Sequence, residues 1–444
     1  MRFLYNFFFT LFFVLSAPFY FTKMLRRGNW ARGFGERFAL YSTRTKQALT
    51  NRHTLWIHAV SVGEVNICTQ LIHELEPLVP NLKMVVSTTT STGMELLHQR
   101  LPSHIEKIYY PIDRRKYVVR ALASIRPEAI VLVEAEIWPN FLWRAFERHI
   151  PVFLVNARLS EKSYRGYRRF GFLFRDLFAR FCGVGCQDEK DAARLRELGF
   201  RSEVIRVVGN LKYDAAQLVE KRPLDIPAML AQIGVDPDAQ LLVGGSTHAG
   251  EEGVLAAIYS RLRQRFPKLF LVVVPRHFER SREAGREIEA QGLSVVYRSE
   301  ISIQSGTKAG KPECLVVNTT GELRFFYRHA SVIFVGKSLT AEGGQNPIEP
   351  GALGKAMIFG PNMQNFSAIA AAFVSGGGAI QVANAEELEQ ATAELLEFPE
   401  KREKLGRDAL AVVRANQGAI GRTVEMIVDH LEGGNLYLAP LSTG

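Results

Sequence analysis

From Leu55 onward, short apolar runs alternate with stretches in which apolar residues recur every three or four positions. The short runs predict strands at Leu55–Ala59, Met84–Ser87, Ile108–Tyr110, Ile130–Val133, Val152–Val155 and Val204–Val208. The longer period predicts helices between them, for example over Asn66–Leu78 and Phe141–Arg148. Such alternation implies a mainly parallel, doubly wound sheet. The rhythm weakens between Ala215 and Pro237, where Pro223 and Pro227 also fall, and a linker over 216–235 is expected there. It restarts at Leu241–Gly244 and continues through Leu269–Val274, Leu293–Tyr297, Leu315–Val317, Val332–Val335 and Ala356–Phe359. After Glu386 the pattern is helical, broken at Pro399 and near Gln417-Gly418. The expectation is an α/β chain of two doubly wound domains, 31–215 and 236–415, with a terminal helix and tail over 416–444.

The N-terminus breaks this pattern. Met1 to Phe21 is almost wholly apolar and just long enough to span a bilayer, with Arg2 before it and Lys23, Arg26 and Arg27 behind. Pro18 follows the small pair Ser16-Ala17 and the apolar run continues beyond it, which favours a retained anchor over a cleaved signal. Residues 1–30 therefore read as an anchor with a basic flank, either spanning or lying in the interface, the basic cluster keeping to anionic lipid of the cytoplasmic leaflet.

Charge sharpens the choice of partner. The formal net charge is +10 and the pI about 9.4, which calls for membrane, nucleic acid or a phosphorylated substrate. No aromatic RNA-binding motif, zinc finger or continuous basic helix supports nucleic acid. The four cysteines are scattered, and Cys182 and Cys186 lack the further ligands of a zinc site, so free thiols are expected. There is no HExxH, Walker A or GxSxG run. Asp236-Pro237-Asp238 precedes a strand rather than following one, so it reads as a turn; neither metal nor cofactor is expected.

Candidate chemistry sits where strands end, the usual ligand edge of an open α/β sheet. Glu64 closes the turn His58-Ala59-Val60-Ser61-Val62-Gly63-Glu64 at a helix start, where it is either a general base or a complement to the helix dipole. Glu134 and Glu136 follow an apolar strand at i and i+2, and would point the same way if that strand continues. Lys212, in Gly209-Asn210-Leu211-Lys212, is either a surface lysine or a cation placed to steady developing negative charge. In the second half, Ser246-Thr247-His248 and Pro275-Arg276-His277 each follow a strand. The guanidinium of Arg276 suits a phosphate, or an ion pair with Glu279 or Glu283. The strand at Leu315 breaks at Thr319-Thr320-Gly321, and Gly343-Gly344-Gln345-Asn346 leads into Pro347-Ile348-Glu349-Pro350. That arrangement suits an anion on backbone N–H groups, with Glu349 placed for a ribose diol, or it is only a turn.

Several of these runs resemble the 3-deoxy-D-manno-octulosonic acid (Kdo) transferase family. They are Gly35-Glu36-Arg37-Phe38, Ser61-Val62-Gly63-Glu64, Glu134-x-Glu136-x-Trp138-Pro139-Asn140, Asn156-Ala157-Arg158-Leu159-Ser160 and Lys212. In the second half they are Ser338-Leu339, Gly343-Gly344-x-Asn346-Pro347-x-Glu349-Pro350, Phe359-Gly360-Pro361 and Asn365-Phe366. The similarity continues to Asn416-Gln417-Gly418 and departs from the family at Phe278, Lys337 and Gln345. The resemblance implies a GT-B glycosyltransferase, its two Rossmann-like domains facing each other across a cleft, that moves Kdo from CMP-Kdo to a lipid A precursor with inversion. It implies an acceptor-binding first domain, with Glu64 as general base, Glu134 and Lys212 as transition-state stabilisers, and Glu136 structural. It implies a CMP-Kdo site in the second domain made by Pro275, Arg276, Thr320, Gly321, Glu322, Asn346, Pro347, Ile348 and Glu349. Arg158, Ser246, His277 and Ser338 are further candidates, and the terminal helix Ile420–Leu431 is expected to cross back to the first domain. The alternatives are a UDP-sugar transferase with a lipid acceptor, or a lipid-headgroup-binding protein without catalysis.

Overall fold

The computed structural model describes residues 2–26, 33–134, 136–216, 224–301 and 311–433. Part of the basic flank (27–32), most of the first half of the expected linker (217–223) and the tail (434–444) lie outside the described residues. The chain forms two compact units, Met1–Leu218 with Gln417–Gly444, and Val219–Asn416.

The first unit is built on a seven-stranded sheet of β1 (His53–His58), β2 (Leu82–Thr88), β3 (Glu106–Tyr109), β4 (Pro127–Val133), β5 (Val152–Ala157), β6 (Gly183–Cys186) and β7 (Ile205–Val207), in the order β3-β2-β1-β4-β5-β6-β7. All its pairings are parallel. The second unit repeats the plan with β8 (Gln240–Thr247), β9 (Leu269–Pro275), β10 (Val295–Tyr297), β11 (Cys314–Val316), β12 (Val332–Val335), β13 (Met357–Phe359) and β14 (Ile380–Gln381), in the order β10-β11-β9-β8-β12-β13-β14, again all parallel. Parallel strands with helices on both faces must be apolar on both faces, which is why their sequences read as continuous runs. One face of the first sheet packs Trp56 of β1 with Phe141, Phe178 and Phe181. The other packs Ile57, Phe153, Ile67 and Leu71 with Ile420, Ile427 and Leu431 of the last helix, Ala419–Gly433.

That helix is tied to the first unit by polar contacts as well. Asp214 accepts from Gly418 N at 2.8 Å and Ile420 N at 3.0 Å, and Arg422 Nε donates to the Val208 carbonyl at 2.9 Å. The two bonds to Asp214 satisfy N–H groups that a helix start leaves free. β6 was not predicted, because Gly183-Val184-Gly185-Cys186 carries two glycines where strand residues were sought. A Cβ on Gly183 would lie 2.8 Å from the Phe153 ring, so the missing side chains let neighbouring apolar groups close on the strand. Ile226–Gln232, inside the expected linker, is a helix of the second unit. Asp225 caps it, accepting from Ala228 N at 2.9 Å, and Pro227 occupies its first turn, where a missing N–H costs nothing. The N-terminal apolar stretch is one helix, Arg2–Arg26, with Pro18 inside it.

Candidate active site

In the first unit, Glu64, Glu134, Arg158 and Lys212 all follow carboxyl ends of parallel strands and so share one rim of the sheet. Glu64 lies in the first turn of the helix Val62–Leu75, whose N-cap Ser61 accepts from Glu64 N at 3.3 Å. Its own Oε2 accepts from Val60 N at 2.8 Å, and the Val60 carbonyl accepts from Thr90 Oγ1 at 3.0 Å. The turn is thus held by both the helix and the end of β2. Glu64 is only 7% exposed, and burial pushes its carboxyl above the ordinary range. The charge of Glu134 raises it further, and hydrogen bonds from Val60 and Ser61 oppose the shift.

β4 ends at Val133 and Glu134 takes φ +61°, so the strand does not continue and the two carboxylates do not project in parallel. The condition on which the i, i+2 reading depended is therefore not met; a left-handed residue turns the chain there. Glu134 Oε1 instead meets Lys212 Nζ at 2.7 Å, a half-buried ion pair, and accepts from Asn156 Nδ2 at 3.3 Å. Glu136 Oε2 accepts from Trp138 Nε1 at 2.9 Å and lies 3.9 Å from Nε2 of His58. Burial raises the Glu136 carboxyl, with Glu64 and Glu134 adding to the effect. His58 is fully buried and stacked on Tyr110 at 3.9 Å; its Nδ1 meets the Ser87 carbonyl at 3.0 Å, and desolvation pushes its pKa down to about 3.

Asn156 was missed as a site residue. It is fully buried at φ +53°, and besides reaching Glu134 it accepts from Leu211 N at 3.1 Å through Oδ1. One amide therefore fixes both Glu134 and the loop carrying Lys212. The signal available was an asparagine near the carboxyl end of the apolar run of β5. Arg158 is half-buried within electrostatic reach of Asp191. The site so assembled offers a buried carboxylate with raised basicity beside a carboxylate–lysine pair. It can take a proton and hold developing charge.

In the second unit the ends of β8, β9, β11 and β12 form the corresponding rim. Pro275 closes β9, and Arg276 and His277 follow it, both exposed. Farther along this loop, Arg280 meets Glu252 at 3.1 Å and Glu283 at 3.4 Å. Thr320 and Gly321 are exposed after β11, and Glu322 pairs with Arg298 at 2.9 Å. Ser246 holds φ +55° and is half-buried.

Two expectations are corrected here. Ser338 is fully buried, its hydroxyl donating to the Val335 carbonyl and accepting from Gly360 N at 2.9 Å, so it braces β12 against β13 and offers nothing to a ligand. The glycine-rich turn also holds fewer free amides than its spacing suggested. Gly343 N donates to Gln364 Oε1 at 2.7 Å, Gly344 N to the Lys337 carbonyl at 2.8 Å, and Ile348 N to Asn346 Oδ1 at 3.1 Å. The Lys337–Leu339 amides are taken by buried Glu251, at 2.7, 2.9 and 3.0 Å. Pro347 and Ile348 are buried under this turn, and Asn346 and Glu349 are half-exposed beside it.

Residues 32–215 match the profile described as 3-Deoxy-D-manno-octulosonic-acid transferase (kdotransferase). The chain is 30% identical over 380 residues to the 3-deoxy-D-manno-octulosonic acid transferase of Haemophilus influenzae, covering 85% of this chain and 87% of that one. The chain belongs to the Kdo transferase family. A second member of that family, from Bordetella pertussis, is 30% identical over 443 residues, covering 94% of this chain and 97% of its own. Among solved structures, a putative UDP-N-acetylglucosamine 2-epimerase from Listeria monocytogenes is similar with a TM-score of 0.58 at 16% identity, over 87% of this chain and 98% of that one. The UDP-GlcNAc 2-epimerase of Neisseria meningitidis bound to UDP-GlcNAc is similar with the same score and identity, over 86% of this chain and 100% of that one. These likenesses show the fold, two parallel-sheet α/β domains of the GT-B class, which this Kdo transferase family member shares.

Proposed function

We propose that the protein transfers Kdo from CMP-Kdo to a hydroxyl of a lipid A precursor, lipid IVA, with inversion and without a metal, at the cytoplasmic face of the inner membrane. The observation that carries this reading is the clustering of buried Glu64 with the Glu134–Lys212 pair on one rim. In the proposed step the acceptor hydroxyl gives its proton to Glu64 while its oxygen bonds to the anomeric carbon of Kdo. The bond from that carbon to the phosphate oxygen breaks, and CMP leaves with the electron pair. A carboxylate of raised pKa suits this task, because its basicity lies nearer the working pH. Lys212, steadied by Glu134, is the group assigned to the negative charge of the reacting sugar. Arg276 is assigned to the phosphate and Glu349 to the ribose, with Thr320, Gly321 and Asn346 beside them; a monophosphate leaving group does not require a metal clamp.

Purified protein incubated with CMP-Kdo and lipid IVA should release CMP and give a lipid heavier by whole Kdo units, with or without a chelator. A heavier lipid formed from a UDP-sugar instead, or no product from either donor, would overturn the reading. Loss of turnover with chelator would remove only its metal-independent clause.

A further inference from the structure

The helix Arg2–Arg26 is long and apolar enough to cross a membrane, yet it has two unlike faces. Tyr5, Asn6, Phe9, Thr10 and Phe13, at helical spacing, are half-buried, whereas Phe3, Phe7, Phe8, Phe12, Leu15 and Phe19 stand exposed at 57% or more. The inner face is bound to the first unit by polar groups. Tyr5 Oη donates to Asp113 Oδ2 at 2.7 Å, and the amides of Asn6 and Asn140 exchange hydrogen bonds at 2.9 and 3.3 Å. Arg114 Nη2 donates to Thr10 Oγ1 at 3.3 Å, and Arg2 pairs with Glu147 and lies over the Trp143 ring. Asp113 and Asn140 are each 2% exposed, so the helix docks onto buried polar groups of the unit.

A spanning orientation would place the start of the helix about 30 Å from its other end, across the hydrocarbon core. Here that start touches the same unit to which the chain returns. The residues beyond Thr10 reach only roughly 24 Å at helical rise, which is short of the core. Next to the docked face, Tyr5 meets Trp143 edge-on at 5.6 Å and lies within electrostatic reach of Tyr167. Tyr167 belongs to the helix Glu161–Arg169 and packs on Phe174 of the helix Gly171–Phe178. The corner between those helices exposes Phe170 and Phe172, with Arg165, Arg168 and Arg169 exposed before it.

We propose that the N-terminal helix lies in the plane of the membrane interface, and that its phenylalanine face, the Phe170–Phe172 corner and these arginines take an anionic bilayer as one surface. Aromatic rings settle at headgroup depth while arginines reach anionic headgroups, so the two parts of the surface ask for the same partner. The proposal rests on the reading that the protein works at a lipid surface, not on which sugar it moves. Its readouts measure lipid contact without turnover, so its failure leaves the transfer reading untouched.

The test uses the full chain with Cys182, the one partly exposed cysteine among those described, changed to serine. Phe3→Cys, Phe8→Cys, Phe12→Cys and Phe19→Cys carry a fluorophore, on vesicles of phosphatidylethanolamine and phosphatidylglycerol holding nitroxides at shallow or deep positions. All four should be quenched alike by the shallow probe. Deepest quenching in mid-helix, with Phe3→Cys modified only by an impermeant reagent trapped inside the vesicles, would overturn the proposal. An Asn6→Cys/Asn140→Cys cross-link should leave vesicle binding intact, and its loss on cross-linking would also overturn it. Phe8→Ser and Phe12→Ser should each lower vesicle partitioning about tenfold. Arg169→Gln should lower it about fivefold on these vesicles, and not on phosphatidylcholine alone. Self-association without lipid that Phe12→Ser abolishes, with vesicle binding unchanged, would assign the face to a second copy of the chain and refute the bilayer.

Discussion

Replacing Glu64 by glutamine tests the proposed chemistry most directly, because the structure separates basicity from fold at this residue. The carboxylate accepts from Val60 N, a bond that an amide oxygen keeps, and the cap from Ser61 to Glu64 N involves only backbone on the Glu64 side. What glutamine removes is a buried charge that desolvation and Glu134 both disfavour. Loss of a general base should slow transfer about 100- to 10,000-fold, or about 3–5 kcal/mol of barrier, with CMP affinity unchanged. Stability should move the other way. The folded-state pKa is raised, so an ionised Glu64 opposes folding above that pKa and ceases to do so once protonated below it. Glu64→Gln should therefore melt at or above the parent temperature near neutral pH, and the difference should shrink as pH falls through the raised pKa and vanish below the ordinary glutamate range. The pH–rate profile adds a second readout. Activity of the parent should fall on the acid side with an apparent pKa above that of an ordinary glutamate. Glu134→Gln, which removes a neighbouring negative charge, should move that limb to lower pH, and Lys212→Met, which leaves Glu134 unneutralised, should move it higher. Single-turnover transfer of Kdo, a denaturation curve and a CMP titration suffice. A near-parental rate for Glu64→Gln across pH would make the residue a helix-start acid and refute the reasoning.

Arg276→Ala should weaken CMP binding by about 1–3 kcal/mol in calorimetry, and Glu349→Ala should also weaken it; unchanged affinity in both would remove the nucleotide from this rim. Asn156→Ala strands the buried Leu211 N–H and, among the described residues, leaves Glu134 held by Lys212 alone, so it should cost about 1–3 kcal/mol of stability and lower kcat with little change in donor KM. An unchanged kcat would show that Asn156 only stabilises the fold. Gly336→Ala should sharply destabilise the second unit, because its Cβ would lie 2.5 Å from the Ser246 carbonyl oxygen; a melting temperature within a degree or two of the parent would contradict this close approach.

Much of the architecture was readable from local pattern. Strands buried on both faces have to be apolar throughout, so Ile130–Val133 and Leu269–Val274 could be seen without any partner in view, and the residues following them marked the rims. The sequence also placed Glu64 at a helix start, since the turn that follows the apolar run of β1 is a local signal. Where a segment's conformation depended on distant partners, the pattern was silent or misleading. β6 is a strand in spite of its glycines, because distant side chains close over them. The turn at Glu134 and the reach of Asn156 to a loop 55 residues away are contacts that no sequence window contains. The free amides expected at Gly343 and Gly344 were already taken by Gln364 and Lys337, a matter of loop packing. Hydrophobicity likewise identified an N-terminal helix suited to lipid, but only its contacts with Asp113 and Asn140 decided which face turns away from the protein. Local patterning follows from the solvent each residue must meet, whereas the positions of Glu134, Asn156 and Tyr5 follow from partners that folding alone brings within reach.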